Sequence, residues 1–128
     1  EGHERVVDLL LRRGAEIELH DSDSLTALMV AAQDGHERVV ELLLQHSAAL
    51  NRQDNDGGTA LMWAAGKGRE RVADLLLRHD AEATVQNSKG YTALLRAATE
   101  GHERVVDLLL RDGAALRSTC RTVRAAPR

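Results

Sequence analysis

Residues 59–65 read TALMWAA, and this stretch decides the fold because it recurs with a fixed step of 33 residues. Residues 26–32 read TALMVAA, and residues 92–98 read TALLRAA. A second phrase keeps the same step and leads each time into three leucines. Its four copies are GHERVV at 2–7, 35–40 and 101–106, and GRERVA at 68–73. A fixed period of this length indicates a stacked array, in which each short unit buries its apolar face against its neighbours.

The two phrases and their common step resemble the ankyrin repeat over nearly the whole chain. The resemblance implies an all-α solenoid of stacked helix-turn-helix units joined by hairpin-like loops. Phased on the family pattern, the chain divides into a half repeat at 1–20, full repeats at 21–53, 54–86 and 87–119, and a tail at 120–128. We therefore expect one ankyrin repeat domain over residues 1–119, followed by a basic C-terminal tail.

Each unit is expected to contain two helices separated by a tight turn. The first helix should begin after a threonine, because a threonine hydroxyl accepts a hydrogen bond from an amide that has no partner within the helix. It should end near a glycine. These threonines and glycines are Thr26, Thr59 and Thr92, and Gly35, Gly68 and Gly101. The family's Thr-Pro-Leu-His opening appears here without its proline or histidine, so the fixed φ that proline would supply is lost.

The end of the second helix differs between units. Gly14 and Gly113 suit the left-handed conformation that commonly ends a helix, whereas Ser47 and Asp80 occupy the same place in the middle units. A side chain in that conformation costs up to about 1 kcal/mol. We therefore predict weaker helix ends in the two middle units.

Acidic and basic residues are paired along the second helices. Asp74 precedes Arg78 by four residues, and Asp8–Arg12 and Asp107–Arg111 repeat the arrangement. Such pairs stabilise a helix by a few tenths of a kcal/mol each. We interpret them as a solvated outer face with no function of its own.

The composition excludes several classes of protein. The 128 residues are 43% apolar and only 2% aromatic, which suits thin layers of closely packed helices. No apolar run approaches the roughly 18 residues of a membrane helix, and the N-terminus has no signal-peptide pattern. The single cysteine rules out an internal disulfide framework. These features favour an intracellular protein, in the cytoplasm or the nucleus.

The residues that could carry catalysis or bind a metal do not form a convincing site. Five of the six histidines recur at matched places in the units, at the start or near the end of the second helix: His3, His36, His102, His46 and His79. Matched side chains in neighbouring units lie on the order of 10 Å apart, too far to share a metal held at roughly 2 Å. His20 with Asp21 and Asp23 is interpreted as a polar loop tip. Cys120 has no histidine nearby in sequence. We predict no enzyme activity, no cofactor and no metal.

The C-terminal tail suggests a second function. Residues 117–128 hold four arginines and no acidic residue, whereas the rest of the chain is acidic. A basic arm of this kind can contact nucleic acid or an anionic lipid surface through phosphate groups. The tail has no aromatic residue for base stacking, so we rank this function below protein binding.

The resemblance implies that a partner protein binds the concave face, which is formed by the loop tips and the exposed edges of the first helices. We call the corresponding residues the predicted concave surface. They vary between units whose flanking residues repeat. The predicted contact residues are His20, Ser22, Asp23, Leu25, Gln33, Asp34, Gln53, Asn55, Asp56, Lys67, Gln86, Ser88, Lys89, Tyr91, Arg96, Thr99 and Glu100.

Four residues on or near this surface invite a specific interpretation. Tyr91 is a candidate anchor for a partner, because exposed aromatic residues often carry much of an interface's binding energy, although packing within its loop is the alternative. Leu25 is better explained by local packing. Trp63 is expected to pack between units with one edge open to the concave face. Arg96 is expected to pair either with an acidic group of a partner or with Glu100.

The sequence therefore predicts a repeat scaffold that binds another protein through the predicted concave surface. We expect a monomeric segment of a longer repeat array, because neither end carries the polar outer face of a terminal unit. Two alternatives remain open at this stage. One is contact of the arginine tail with nucleic acid or lipid, and the other is a structural spacer or consensus-like protein with no native partner.

Overall fold

The computed structural model describes residues 20–112, together with residues 5, 9, 12 and 13. Residues 20–112 contain six helices: α1 (Ala27–Asp34), α2 (Glu37–Gln45), α3 (Ala60–Gly66), α4 (Glu70–Arg78), α5 (Ala93–Thr99) and α6 (103–112). This part of the chain contains no strand beyond an isolated bridge between His20 and Thr26. The architecture is the all-α solenoid that the sequence predicts. Most of the half repeat at 1–20, Cys120 and the arginine tail lie outside the described residues.

The first helix of each unit begins where the threonines predict. The Oγ1 atom of Thr59 accepts a hydrogen bond of 3.3 Å from the amide of Met62, three residues on. Thr26 and Thr92 make the same 3.3 Å bond at the start of α1 and α5. Each threonine has an extended backbone, as a capping residue outside the helix should. Alanine in place of the family's proline has therefore preserved the helix start.

A left-handed glycine follows the first helix in every described unit, one residue after the end of α1 and two residues after the ends of α3 and α5. Gly35, Gly68 and Gly101 have φ angles of 76°, 71° and 75°. The chain reverses there, and the next helix begins two residues later. A β-carbon is disfavoured at such angles, which explains why glycine recurs at this place.

The second helices of the middle units end at non-glycine residues in the same left-handed conformation. Ser47 has a φ of 68° and Asp80 a φ of 70°. At Ser47, the amide of that residue donates to Leu44 O at 3.0 Å, and the next amide donates to Leu43 O at 3.0 Å. This pair of bonds is the Schellman arrangement of a helix end, and it is repeated at Asp80. The geometry is complete at both ends, so the predicted weakness is a matter of backbone strain alone.

The first helices form one layer and the second helices another. Helices α1, α3 and α5 pack side by side, and α2 and α4 cover α1 and α3. Alanines at the junctions are fully buried, as Ala32, Ala64 and Ala65 show. Small side chains let the helix backbones approach closely, and larger residues such as Leu43 and Leu76 fill the space between the layers. This two-layer core fixes the first helices and the loops before them.

The outer surface of the second layer carries the predicted ion pairs. Asp74 Oδ2 lies 3.2 Å from Arg78 Nε, and Asp107 Oδ2 lies 2.6 Å from Arg111 Nη2. Asp8 of the third predicted pair lies outside the described residues. A ladder of ion pairs between the second helices of neighbouring units was not predicted. Glu37 Oε2 lies 3.9 Å from Arg71 Nη1, and Glu70 Oε1 lies 3.8 Å from Arg104 Nη1. All of these side chains are well exposed, so each pair contributes little to stability.

Candidate functional site

The loop before α3 is held in shape by the carboxylate of Asp54. Its Oδ1 atom accepts hydrogen bonds from the backbone amides of Asp56, at 2.9 Å, and Gly58, at 2.8 Å. The amide of Asp54 donates in turn to Gly58 O at 2.8 Å. Gly57 has a φ of 81°, in the left-handed region that glycine adopts most readily. The aspartate thus closes a tight loop through its own neighbouring backbone.

The same closure recurs in the loops before α1 and α5. Asp21 Oδ1 accepts from the amides of Asp23 and Leu25 at 2.9 and 3.0 Å. Asn87 Oδ1 accepts from the amides of Lys89 and Tyr91, both at 2.9 Å. Sequence reasoning missed these anchors, although an aspartate or asparagine recurs at 21, 54 and 87 with the 33-residue step. Each loop therefore presents variable side chains from a fixed backbone.

Neighbouring loops are bonded to one another. The amide of Asn55 donates to Asp23 O at 3.0 Å, and the amide of Ser88 donates to Asp56 O at 2.8 Å. Gln53 Nε2 also donates to Gln86 O in the next unit, at 3.2 Å. Some of the hydrogen bonds of the predicted contact residues Gln53 and Asn55 therefore join neighbouring loops. The result is a continuous row of loops beside the first helices.

Trp63 is tied to the loop of its own unit. Its indole Nε1 donates a hydrogen bond of 2.9 Å to Asp54 Oδ2. The carboxylate of Asp54, a residue only 9% exposed, therefore accepts three donors. The tryptophan is half-buried and packs against the core, whereas the position between units that the sequence suggests for it stays a prediction. One side of it faces a groove on the surface.

That groove lies between the 54–58 and 87–91 loops, beside α3 and α5, and has a volume of about 450 Å³. The residues that line it come from both loops and both helices. They are Asp54, Asp56, Gly58, Met62, Trp63, Asn87, Ser88, Lys89, Tyr91, Arg96 and Thr99. The structure thus brings Asp56, Ser88, Lys89, Tyr91, Arg96 and Thr99 of the predicted concave surface into one place.

The other predicted contact residues do not line this groove. They are His20, Ser22, Asp23, Leu25, Gln33, Asp34, Gln53, Asn55, Lys67, Gln86 and Glu100. Most are exposed on the loops or at the ends of the first helices. Leu25 is partly buried and packs against the core, in agreement with the local packing expected for it.

Arg96 does not pair with Glu100, so one of the two partners expected for it is wrong. Across residues 20–112, the guanidinium of this half-buried residue has no hydrogen bond or ion pair. The side chain lies against the end of α3, where a β-carbon added to Gly66 would be 2.9 Å from Arg96 Nη2. Glycine at 66 therefore makes room for the guanidinium, and the negative end of the α3 dipole favours a cation there.

A matched histidine and arginine link neighbouring units. His102 Nε2 lies 3.0 Å from Gly66 O, where a proton on Nε2 is donated to the carbonyl. Arg69 occupies the equivalent place one unit earlier, and its Nε donates to Gln33 O at 3.0 Å. The recurrence of polar residues at this place thus has a structural cause.

The local cluster at His20 also serves its loop, because His20 Nδ1 lies 3.1 Å from Asp21 O while the Asp21 carboxylate accepts the two loop amides. Within the described ranges, no group of three or more histidine, cysteine or acidic side chains is arranged to hold a metal ion.

The comparisons with protein families agree with this architecture. A family model of three ankyrin repeat copies matches residues 1–87, and a model of the single ankyrin repeat matches residues 89–120. The chain belongs to the ankyrin repeat family. A search of curated proteins found no significant match to the chain.

Ankyrin repeats are generally protein–protein interaction modules, and ankyrin-repeat proteins are typically non-enzymatic. Among the helices that the structure describes, none is long and apolar enough to cross a membrane. The groove lies within the predicted concave surface, because six of its lining residues belong to that surface.

Proposed function

We propose that this ankyrin repeat protein binds a segment of a partner protein along the predicted concave surface, with the groove at its centre. Residues 21–53, 54–86 and 87–119 act as three full repeats of one recognition domain, and residues 1–20 act as the second half of a further repeat. The loops and first helices provide the contact surface, while the second helices provide support.

The observation that carries the proposal is a contrast between two sets of residues. The helix-capping threonines and the loop-closing residues at 21, 54 and 87 recur in each unit, and we call them the frame. The side chains that line the groove differ between units. Tyr91 stands where the other units have Leu25 and Gly58, and Arg96 stands where they have Val30 and Trp63. Both residues line the groove, while the loop closures and helix caps around them recur. A frame that is kept while its exposed side chains change is suited to recognition of a particular partner.

The frame also lowers the cost of binding. Each loop is closed by two side-chain hydrogen bonds and joined to its neighbour by a backbone bond. A surface that is already ordered loses little conformational freedom when a partner arrives. Partly exposed Tyr91 and Trp63 offer apolar ring area, and Tyr91 adds a hydroxyl group, a combination common in interface anchors.

Crosslinked affinity capture from cell lysate tests the proposal. The chain is compared with a Lys89→Glu, Tyr91→Ala variant, which alters two groove residues that have no bond to the core. Arg78→Glu is the matched control, because Arg78 lies on α4, outside the groove, and pairs with Asp74 on that outer surface. Leu25→Ala is avoided, since Leu25 packs against the core.

We expect a discrete protein to be captured by the chain and by Arg78→Glu but not by the groove variant. Circular dichroism should show equal helix content in all three. Capture that survives the groove variant and is lost from Arg78→Glu would overturn the proposal, because the second helices would then be the contact surface.

A further inference from the structure

We infer that the groove recognises an acidic side chain of the partner segment, with the Arg96 guanidinium binding its carboxylate and the Trp63 and Tyr91 rings contacting an adjacent apolar side chain. This inference rests on the proposed function and names the chemistry of the partner. It assigns the carboxylate to an aspartate or glutamate within an extended segment of another protein.

The first support is the unused hydrogen-bonding capacity of Arg96. Its guanidinium carries several N–H donors in a planar fork that matches a carboxylate. Within residues 20–112, none of these donors is satisfied by a side chain or a carbonyl. Arg96 is only partly exposed and lines the groove, so a charged partner group would meet it where water screens the interaction less than on an open surface.

The second support is the charge of the lining. Four charged residues line the groove: Asp54, Asp56, Lys89 and Arg96. The Asp54 carboxylate already accepts three hydrogen bonds, two from loop amides and one from the indole of Trp63. The oxygen atoms of Asp54 are therefore occupied by donors of its own unit. Lys89 and Arg96 offset the formal charges of Asp54 and Asp56, so the complementarity to a negative group is local and lies at Arg96, whose guanidinium has no acidic partner within residues 20–112.

The third support is that the fold does not require a charge at this place. The equivalent residues are Val30 and Trp63 in the preceding units, and both of those units close their loops and cap their helices in the same way. Gly66 supplies the room in which Arg96 lies, whereas Gln33 occupies that place in the unit before. Contact with the end of α3 holds the long side chain, so fixing it on binding costs less entropy.

Selection from a random library of 12-residue peptides tests the inference. The peptides are fused to a carrier at their C-termini, so that no free terminal carboxylate is present. Pools are selected separately by the chain, by Arg96→Glu, by Arg96→Val and by Arg78→Glu. Arg96→Val gives the third full unit the residue type that the first full unit has at the equivalent position, Val30. Arg78→Glu makes the same charge change as Arg96→Glu but lies outside the groove.

We expect the pool selected by the chain to be enriched in an aspartate or glutamate beside an aromatic or aliphatic residue. The Arg96→Glu pool should lose this acidic residue and gain lysine or arginine in its place, while the Arg78→Glu pool should match that of the chain. A peptide from the first pool should bind Arg96→Glu and Arg96→Val about 10- to 100-fold more weakly, the effect of losing a charge-assisted hydrogen bond.

Three outcomes would overturn the inference. The first is a pool whose binding is lost with Tyr91→Ala but shows no acidic preference and tolerates Arg96→Glu; the proposed function would then stand without it. The second is pools that ignore all groove variants, which would remove the proposed function as well. The third is self-association of the chain in sedimentation that Arg96→Glu abolishes, because a second copy would then occupy the groove.

Discussion

The two junctions between the first helices are built on one plan with different side chains. At the junction of α1 and α3, Arg69 bonds the carbonyl of Gln33. At the junction of α3 and α5, His102 bonds the carbonyl of Gly66, the equivalent residue. Two unlike side chains therefore satisfy the same backbone position near the end of a first helix. What recurs at this place is a hydrogen-bond donor that reaches the carbonyl, and more than one residue type can supply that donor.

The same two junctions differ at the groove. Trp63 is bonded to Asp54 in its own loop and packs against the core, so it belongs partly to the frame. Arg96, one unit later, has no such bond within residues 20–112 and lies across Gly66. Trp63 thus helps to hold the array together, whereas Arg96 is the residue that we propose for contact with a partner.

The largest expected effect comes from breaking the frame at Asp54. Asp54→Ala removes the acceptor of two loop amides and of the Trp63 indole, and we expect it to lower the free energy of unfolding by about 2–4 kcal/mol. The matched change Asp21→Ala removes an exposed carboxylate with two amide donors and no tryptophan, so its cost should be about 1 kcal/mol. Urea unfolding measures both. Equal losses would show that the indole bond and the burial of Asp54 are unimportant.

A smaller effect tests the contact between Arg96 and Gly66. Gly66→Ala should gain up to about 1 kcal/mol of helix propensity, but its new β-carbon meets the guanidinium. When Gly66→Ala is made in an Arg96→Val background, no guanidinium meets the new β-carbon, and the full gain in the free energy of unfolding should appear. The expected coupling in a double-mutant cycle is therefore about 1 kcal/mol, measured by urea unfolding. A coupling near zero would mean that Arg96 moves away freely and is not held over α3.

The helix ends should respond in the opposite direction. Ser47→Gly and Asp80→Gly relieve side chains that stand at φ angles of 68° and 70°, and each should raise the free energy of unfolding by up to about 1 kcal/mol. Serine should gain more than aspartate, which tolerates the left-handed region better. Thermal unfolding of both variants checks this order. A loss of stability at either site would show that its side chain contributes more than its strain costs.

The smallest effect is expected in the ladder on the second helices. Glu70→Gln breaks the 3.8 Å approach to Arg104, and the change in unfolding free energy should stay below about 0.5 kcal/mol because the arginine is 86% exposed. Urea unfolding under the same conditions compares this change in the free energy of unfolding with that of Asp54→Ala. A loss of several kcal/mol at Glu70 would contradict the assignment of stability to the core and the loops.

The sequence predicted the frame well because the frame is local. Thr59 and Gly68 mark the ends of a helix by their own chemistry, and their 33-residue recurrence makes the pattern visible. The loop anchors recur at positions 21, 54 and 87 with the same step, so they were equally predictable from residue type and spacing. Local hydrogen bonds of this kind can be predicted when residue type and step are considered together.

The groove could be predicted only in part, because it depends on contacts between units. Gly66 and Arg96 are 30 residues apart, and nothing in their local sequence shows that one makes room for the other. The expected Arg96–Glu100 pair followed from helix spacing alone, which ignores the neighbouring helix that draws the guanidinium away. Tyr91 was identified from its type, whereas its position beside Trp63 and Lys89 required the stacked loops.

Amide hydrogen exchange of the chain, with and without a peptide selected by it, tests the central claim most directly. Exchange should slow on binding in the 54–58 and 87–91 loops and in α5, and should be unchanged in α2 and α4. Slowing confined to α2 and α4, with no change at the loops, would contradict the account, because the partner would then bind the supporting layer and leave the groove empty.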